Sequence, residues 1–340
     1  MIPVRVALVG LGRIGRNLLR ILYRDETIRI AAIDEIADPE GVEYLTRFDT
    51  ILGPFPDELS IREGHMYVVG RQIPMLSTKS PAESPWEELG VDIVIAATGK
   101  PRSRAELEQH LERGAKRVIL CSPPSEPPDI TVVMGVNDDQ LEPSHRIVSN
   151  GSCTAHCAAP VLKILDDAFG IEQAILTTVH AYTNEQRLAD VPSEDPRRGR
   201  AAAENIIPQS TNAGAVITEL LPRFEGRIIA EAINVPVPNG SVVDLVCWHE
   251  KEVSVTAINE VVRTAAAADW KRIVNWVDDP IVSSDVIRSS FSSTFDSAAT
   301  MVMGERVSKT LSWYDNGWGY AHRVVDLVRR LAAIDEQEVA

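Results

Sequence analysis

The sequence predicts an α/β fold followed by an α+β half, and three observations carry that prediction. β-like and helix-like runs alternate up to about residue 150, a glycine-rich turn joins the first such pair, and strand-like runs dominate beyond residue 153. Strands separated by helices imply right-handed crossovers and a mainly parallel sheet.

In chain order, the strand VRVALVG is followed by the helical run GRNLLRILYRD and the second strand IRIAAID. The turn-rich stretch from about 47 to 85 has room for extra short strands and loops. VDIVIAATG, the helix RAELEQHLERGA, KRVILCS and HRIVSN then continue the alternation. CTAHCAAPVLKILDDAFG is helical, with Ala158, Val161, Leu162 and Leu165 at helical spacing. The strand AILTTVHAYT leads into a polar, proline-bearing loop over 184–200, a kind of loop that is often functional. IIAEAINVPVP, SVVDLVCWHE, SFSSTFDSAATMVM and SKTLSWYD read as strands, with TAINEVVRTAAAADW as a helix among them. WGYAHRVVDLVRRLAAI closes the chain as an amphipathic helix whose apolar stripe needs a partner.

At 340 residues the chain has length for roughly two domains with substantial cores. No apolar run approaches the ~20 residues that cross a bilayer, and the N-terminal MIPVRVALVGLGRIG reads as a first strand rather than a cleaved signal. A soluble, cytoplasmic protein is the default. A formal net charge of −15 argues against nucleic acid and anionic membrane as partners. Any anionic substrate must then be held by a local positive site. Cys121, Cys153, Cys157 and Cys247 are too sparse for a disulfide scaffold and are expected as reduced thiols.

Gly10, Gly12 and Gly15 form G-x-G-x-x-G between the first strand and its helix. In that context Gly10 permits the tight turn, Gly12 lets backbone approach a pyrophosphate, and Gly15 lets helix pack on strand. Helix N-terminal amides then face the phosphates. The second strand ends in Asp34 and Glu35, where a carboxylate hydrogen-bonds the adenosine ribose and repels a 2′-phosphate, which favours NAD over NADP.

Cys153 has three readings: a buried structural thiol, a metal ligand or a nucleophile. It stands at the expected N-terminus of a helix, behind the small polar run Ser149, Asn150, Gly151 and Ser152. The helix amides there stabilise a thiolate and are expected to lower its pKa. Cys153, His156 and Cys157 share a helical face, but three ligands within one turn make a poor tetrahedral cage, so no metal is expected. A nucleophilic cysteine needs a base. Of the histidines, His180 ends an apolar strand ahead of the long loop, whereas His110 and His145 lie in polar segments read as exposed.

GLGRIGR (10–16), SNGSCTAHC (149–157), TTVHAYTNEQR (177–187), RRGRAAAENIIPQST (197–211), NVPVPNGSVVDL (234–245) and SWYDNGWGY (312–320) together give the chain its resemblance. In order and spacing they resemble the glyceraldehyde-3-phosphate dehydrogenase family nearly end to end. LYRDE, AIDEIAD and LDDAFGIE are also similar to its erythrose-4-phosphate dehydrogenase branch. The resemblance implies a Rossmann-type NAD-binding domain (1–152 and 317–340) and an α+β catalytic and tetramerisation domain (153–316) with a mainly antiparallel sheet. The C-terminal helix is then expected to return to the first domain.

By the same match Cys153 is the nucleophile and His180 the base. Arg13 and Ile14 lie along the pyrophosphate, Glu35 takes the ribose, Lys79 stands on the adenine side, and Thr98 and Gly99 flank the cofactor. Asn316 holds the nicotinamide carboxamide and Tyr320 packs near that ring. Ser152, Thr154, Thr183, Arg198 and Thr211 are implied for the phosphate of the substrate and the attacking inorganic phosphate. Residues 181–206 match a loop near a neighbour's cofactor in a homotetramer.

The chain departs from the family around the anion sites. Asn234 and Asn212 stand where arginine and glycine are usual, Gln209 precedes the Ser-Thr pair, His156 replaces asparagine and Gly317 replaces glutamate. Charge-assisted bonds are roughly twice as strong as neutral ones, so the loss at Asn234 thins phosphate binding. Arg288 is a candidate replacement cation. Three expectations stay open: a phosphorylating dehydrogenase of glyceraldehyde 3-phosphate, a relative acting on erythrose 4-phosphate or another aldehyde, and a catalytically weak paralogue with a sensing or interaction role.

Overall fold

The computed structural model describes residues 2–339. Two compact units are present. The first comprises the chain up to Val132, residues 137–151 and the chain from Ala321; the second comprises Val133–Val136 and Ser152–Tyr320.

In the first unit, β1 (Val4–Val9), α1 (Arg13–Leu22) and β2 (Ile28–Asp34) make the opening crossover, with β1 and β2 parallel. Asp38 caps α2 (Pro39–Arg47) by accepting from the Gly41 amide at 3.0 Å. β3 (Phe48–Asp49), β4 (Gly53–Pro54), β5 (Leu59–Arg62), β6 (His65–Val68) and β7 (Arg71–Leu76) occupy the turn-rich stretch. β8 (Ile93–Ala96), α3 (Arg104–Glu112), β9 (Arg117–Leu120), β10 (Ile130–Thr131) and β11 (Ile147–Ser149) follow. Among the described residues the main sheet runs β10-β11-β9-β8-β1-β2-β7-β6-β5, parallel except for β5–β6 and β6–β7. β1 has β2 on one side and β8 on the other, so the strand order reverses beside it. In an open α/β sheet that reversal leaves a crevice at the strands' carboxyl ends.

One expectation fails here. The RAELEQHLERGA run is polar enough to read as solvated throughout, yet His110 is 4% exposed and accepts from Trp86 Nε1–H at 3.0 Å. Leu107 and His110 are three residues apart, so both fall on the inner face of α3.

In the second unit α4 (Cys153–Phe169) is followed by β12 (Ile171–Ala181), β13 (Ile207–Gln209), α5 (Ala213–Leu220), β14 (Ile228–Val235) and β15 (Ser241–His249). α6 (Val255–Ala267), β16 (Val274–Val277), β17 (Ser293–Met303) and β18 (Val307–Tyr314) complete it. The sheet order is β13-β14-β12-β15-β18-β17-β16, antiparallel except for β12–β14 and β16–β17. α4 packs on β12, β15, β17 and β18, and Ala158, Val161, Leu162 and Leu165 are buried beneath it. Strand side chains alternate faces: Ala174, Leu176 and Thr178 are buried on the covered face of β12, while Ile175 points outward, 38% exposed. His180 falls on the covered face.

α7 (Trp318–Val339) gives its residues from Ala321 onward to the first unit. Ala321, Val324, Val325, Val328 and Leu331 are buried along it, each large apolar side chain contributing about 1.5–3 kcal/mol. Arg117, itself buried, pairs with Asp335, and Arg329 reaches Asp25 at 2.7 Å.

Candidate active site

At the end of β1 the three glycines are required for three different reasons. Gly10 has φ +94°, and a Cβ there would lie 2.9 Å from the Ala97 carbonyl oxygen. A Cβ on Gly15 would lie 2.0 Å from the Gly10 carbonyl oxygen, so only glycine lets α1 close on the turn. Gly12 is different: its nearest neighbour would be 4.0 Å away and the residue is exposed. Nothing in this chain occupies the space a side chain would fill there, and that open cradle at a helix N-terminus fits a pyrophosphate.

Glu35 holds the edge of the same loop. Its Oε2 accepts from the Leu11 amide at 2.7 Å and its Oε1 from the Ala37 amide at 2.9 Å. Asp34 is buried and committed to Thr78, whose amide (2.9 Å) and hydroxyl both bond its carboxylate; burial raises its pKa. Of the two carboxylates, Glu35 is the one placed against the glycine loop. Lys79 and Thr98 line a pocket with Val9, Asp34, Thr78 and Arg102. Arg102 was not legible as part of it. Gly99 adopts φ +71° beside Thr98 with open space where a Cβ would stand, and Arg13 and Ile14 are half-buried in the first turn of α1.

The second unit brings Cys153 and His180 together. Cys153 is the first residue of α4, half-buried, and Ser152 caps the helix by accepting from the Ala155 amide at 3.1 Å. Cys153 Sγ lies 3.6 Å from His180 Nε2. His180 Nδ1 lies 2.6 Å from the Ala181 carbonyl oxygen, an acceptor only, so Nδ1 carries the proton and Nε2 turns its lone pair to the sulfur.

The expected lowering of the thiol pKa is not what the structure gives. Burial pushes the Cys153 thiol up to about 11, against the opposing pull of the Thr154 amide and hydroxyl and of its own amide. The helix start is present, but desolvation outweighs it. His180 Nε2, at 3.6 Å, is within reach of the thiol proton.

Three supports went unseen in the sequence. Tyr314 is 2% exposed and bonds both Thr154 Oγ1 and Thr178 Oγ1. Ser241 Oγ accepts from the Ala181 amide at 3.0 Å and donates to Asn316 Oδ1 at 3.4 Å, linking β12 to that carboxamide. Asp315 caps α7, its Oδ1 accepting from Gly317 (2.8 Å) and Trp318 (2.7 Å), and so fixes the turn in which Asn316 sits. No local pattern marks Tyr314 or Ser241, since each acts through partners distant in sequence, whereas Asp315 bonds amides two and three residues on and was in principle legible as a turn residue.

The remaining expected residues are placed as follows. Parallel pairing of β12 and β14 sets Asn234 opposite His180; it is 3% exposed, with Nδ2 reaching the Ala181 carbonyl oxygen at 3.4 Å. The Thr183 hydroxyl bonds Gln186 at 3.1 Å, and Thr211 Oγ1 accepts from the Ala213 amide at 3.2 Å, beside Asn212 at the start of α5. Arg198 is exposed on the long loop, 3.7 Å from Asp195. Arg288 is exposed with φ +67°, and its amide bonds Asp315 at 2.8 Å. Tyr320 is buried and meets the ring of buried His156 at 5.9 Å. Cys157 lies inside the unit against Ser293 and Ser312, where burial drives its thiol pKa far up.

Residues 4–104 match the NAD binding domain of glyceraldehyde 3-phosphate dehydrogenase, and residues 152–316 match that enzyme's C-terminal domain. With the nucleotide loop already described, these matches define the chain as an NAD-dependent oxidoreductase. It belongs to the glyceraldehyde-3-phosphate dehydrogenase family. It is 46% identical over 327 residues to the glyceraldehyde-3-phosphate dehydrogenase of Streptomyces coelicolor, covering 95% of this chain and 97% of the relative. The Geobacillus stearothermophilus enzyme of that name is 43% identical over 331 residues, covering 97% and 98%. The Mycobacterium leprae one is 46% identical over 332 residues, covering 96% and 97%.

Proposed function

We propose that this chain oxidises glyceraldehyde 3-phosphate to an acyl phosphate, with Cys153 as nucleophile and His180 as acid and base. The carrying observation is the 3.6 Å approach of Sγ to an Nε2 whose tautomer leaves it a lone pair. The names of the relatives support this substrate over erythrose 4-phosphate. Retention of a paired thiol and imidazole argues against a protein without catalysis.

As the sulfur attacks the aldehyde carbon, His180 takes the thiol proton and relays it to the forming hydroxyl, giving a thiohemiacetal on Cys153. His180 then withdraws that hydroxyl proton as the carbon is oxidised, leaving a thioester. NAD, when bound, supplies the hydride acceptor for this step. An oxygen of inorganic phosphate adds to the thioester carbon, the carbon–sulfur bond breaks, and His180 returns a proton to the departing sulfur.

Gly10, Gly12, Arg13, Ile14 and Gly15 are the proposed pyrophosphate site, Glu35 the ribose ligand, and Lys79, Thr98 and Gly99 its neighbours. Asn316 and Tyr320 are proposed for the nicotinamide. Ser152, Thr154, Thr183, Arg198, Thr211, Asn212 and Asn234 are the proposed anion ligands. Asn234 brings two amide donors and no charge, so binding of the substrate phosphate is expected to be weak for its class.

A homotetramer is part of the same reading. Ile175 and Ile229 pair across β12 and β14 on the sheet face that α4 does not cover, 38% and 68% exposed, and Met301 and Met303 are exposed on β17. Such a face suits burial between copies, and light scattering on the purified protein tests it. Four free thiols suit a reducing cytoplasm, and no described helix is long and apolar enough to cross a membrane.

Steady-state kinetics test the substrate, using glyceraldehyde 3-phosphate, erythrose 4-phosphate and unphosphorylated glyceraldehyde, each with and without phosphate. The reading expects the highest kcat/KM with the phosphorylated triose, and turnover that needs phosphate. Preference for the unphosphorylated aldehyde, or turnover indifferent to phosphate, rejects it.

A further inference from the structure

Tyr314 closes β18 with its hydroxyl between two threonines, 3.0 Å from Thr154 Oγ1 and 2.8 Å from Thr178 Oγ1. Thr154 follows Cys153 in the first turn of α4, and Thr178 precedes His180 by two residues on the same face of β12. A phenol donates only one hydrogen bond, so at least one of the two threonines donates to Tyr314. A chain of hydrogen bonds thus runs from the helix bearing the sulfur to the strand bearing the imidazole. The Tyr314 ring also meets the His180 ring edge to face, centroids 5.9 Å apart at 72°.

The three hydroxyl residues are at most 5% exposed. A buried hydroxyl that loses its partner is left desolvated and uncompensated, which keeps this chain closed in the folded protein. Burial also holds Tyr314 well above the ordinary phenol range. The phenol stays neutral at working pH.

We propose that Tyr314 is a positioning residue for the Cys153–His180 pair, tying α4 to β12 so that Sγ and Nε2 stay at reaction distance. The inference rests on the pair acting as proposed above. Small displacements of reacting groups are costly, on the order of 10²-fold for ~1 Å, and two backbone elements hold this pair with one shared anchor.

Tyr314→Phe keeps the ring and removes the anchor. It is expected to lower kcat about tenfold with KM for the aldehyde changed less than about twofold. Alkylation of Cys153 by iodoacetamide is expected to move to more alkaline pH, because a misaligned imidazole no longer takes the thiol proton. Thr178→Val cuts only the β12 end and is expected to give the same changes at smaller size, so it reads the proposal even where Tyr314→Phe does not fold. Parental kcat and a parental alkylation profile in whichever variant folds overturn the proposal, whatever happens to the thermal midpoint. The parent protein and Cys153→Ser are run beside them. A parent whose alkylation survives in Cys153→Ser contradicts the nucleophile assignment itself, and is thereby told apart from a failure of Tyr314 alone.

Discussion

α1 and α4 both follow a β-strand and open on small residues, yet their first turns are finished in opposite ways. α1 begins behind Gly12, which is extended at φ −65° and ψ −162° and makes no side-chain cap. α4 begins behind Ser152, whose hydroxyl closes on the Ala155 amide, with Cys153 as its first residue. One helix start carries no side-chain cap; the other is capped by its own serine and presents a thiol. The comparison also weighs the helix terminus against burial. A terminus contributes roughly 0.3–1 kcal/mol, less than one pKa unit at about 1.4 kcal/mol each. It cannot offset a rise to about 11, so in the proposed mechanism α4 positions the sulfur and His180 ionises it.

Cys153→Ser attacks the capped end directly. It is expected to reduce kcat/KM on the order of 10⁴-fold or more, while NAD affinity, followed by fluorescence titration, stays at the parental value.

Gly15→Ala and Gly12→Ala separate folding from binding at the uncapped end. Alanine normally stabilises a helix relative to glycine by about 1 kcal/mol. At Gly15 the sign should reverse, with a loss of about 3 kcal/mol or more in denaturant unfolding, because the Cβ meets the Gly10 carbonyl at 2.0 Å. At Gly12 stability should change by less than about 0.5 kcal/mol, while NAD binding weakens about tenfold, since only the ligand uses that space. Equal destabilisation by the two variants would break the distinction between the glycines.

Ser152→Ala gives the smallest effect, about 1 kcal/mol of stability from the lost cap, read as a shift in unfolding midpoint. If its alkylation rate at neutral pH is unchanged, the cap serves the helix alone.

The alternation of strands and helices in the first unit was legible because local patterns fix it, and so was the start of α4, where the small polar run breaks just before Cys153. The glycine loop was legible for the same reason, although only the coordinates show that Gly12 faces open space while Gly15 is hemmed by backbone. Asp34 and Glu35 were adjacent and equivalent on the page of the sequence; Thr78, more than forty residues away, is what commits Asp34 to structure. His180 opposite Asn234 depends on β14 joining β12 in parallel, a pairing between strands separated by the long loop. Tyr314 and Ser241 act across longer separations still. The thiol pKa was not legible because helix position is local and visible, whereas desolvation is set by everything packed around the sulfur.

Whether Cys153 and His180 work as one unit is tested most directly by the rate of Cys153 alkylation with iodoacetamide against pH, in the parent and in His180→Gln. In the parent the sulfur is expected to react readily at neutral pH. In His180→Gln the neutral-pH rate is expected to fall on the order of 10²-fold, and the profile to climb toward about 11, where the buried thiol ionises unaided. Superimposable profiles for the two proteins contradict the account.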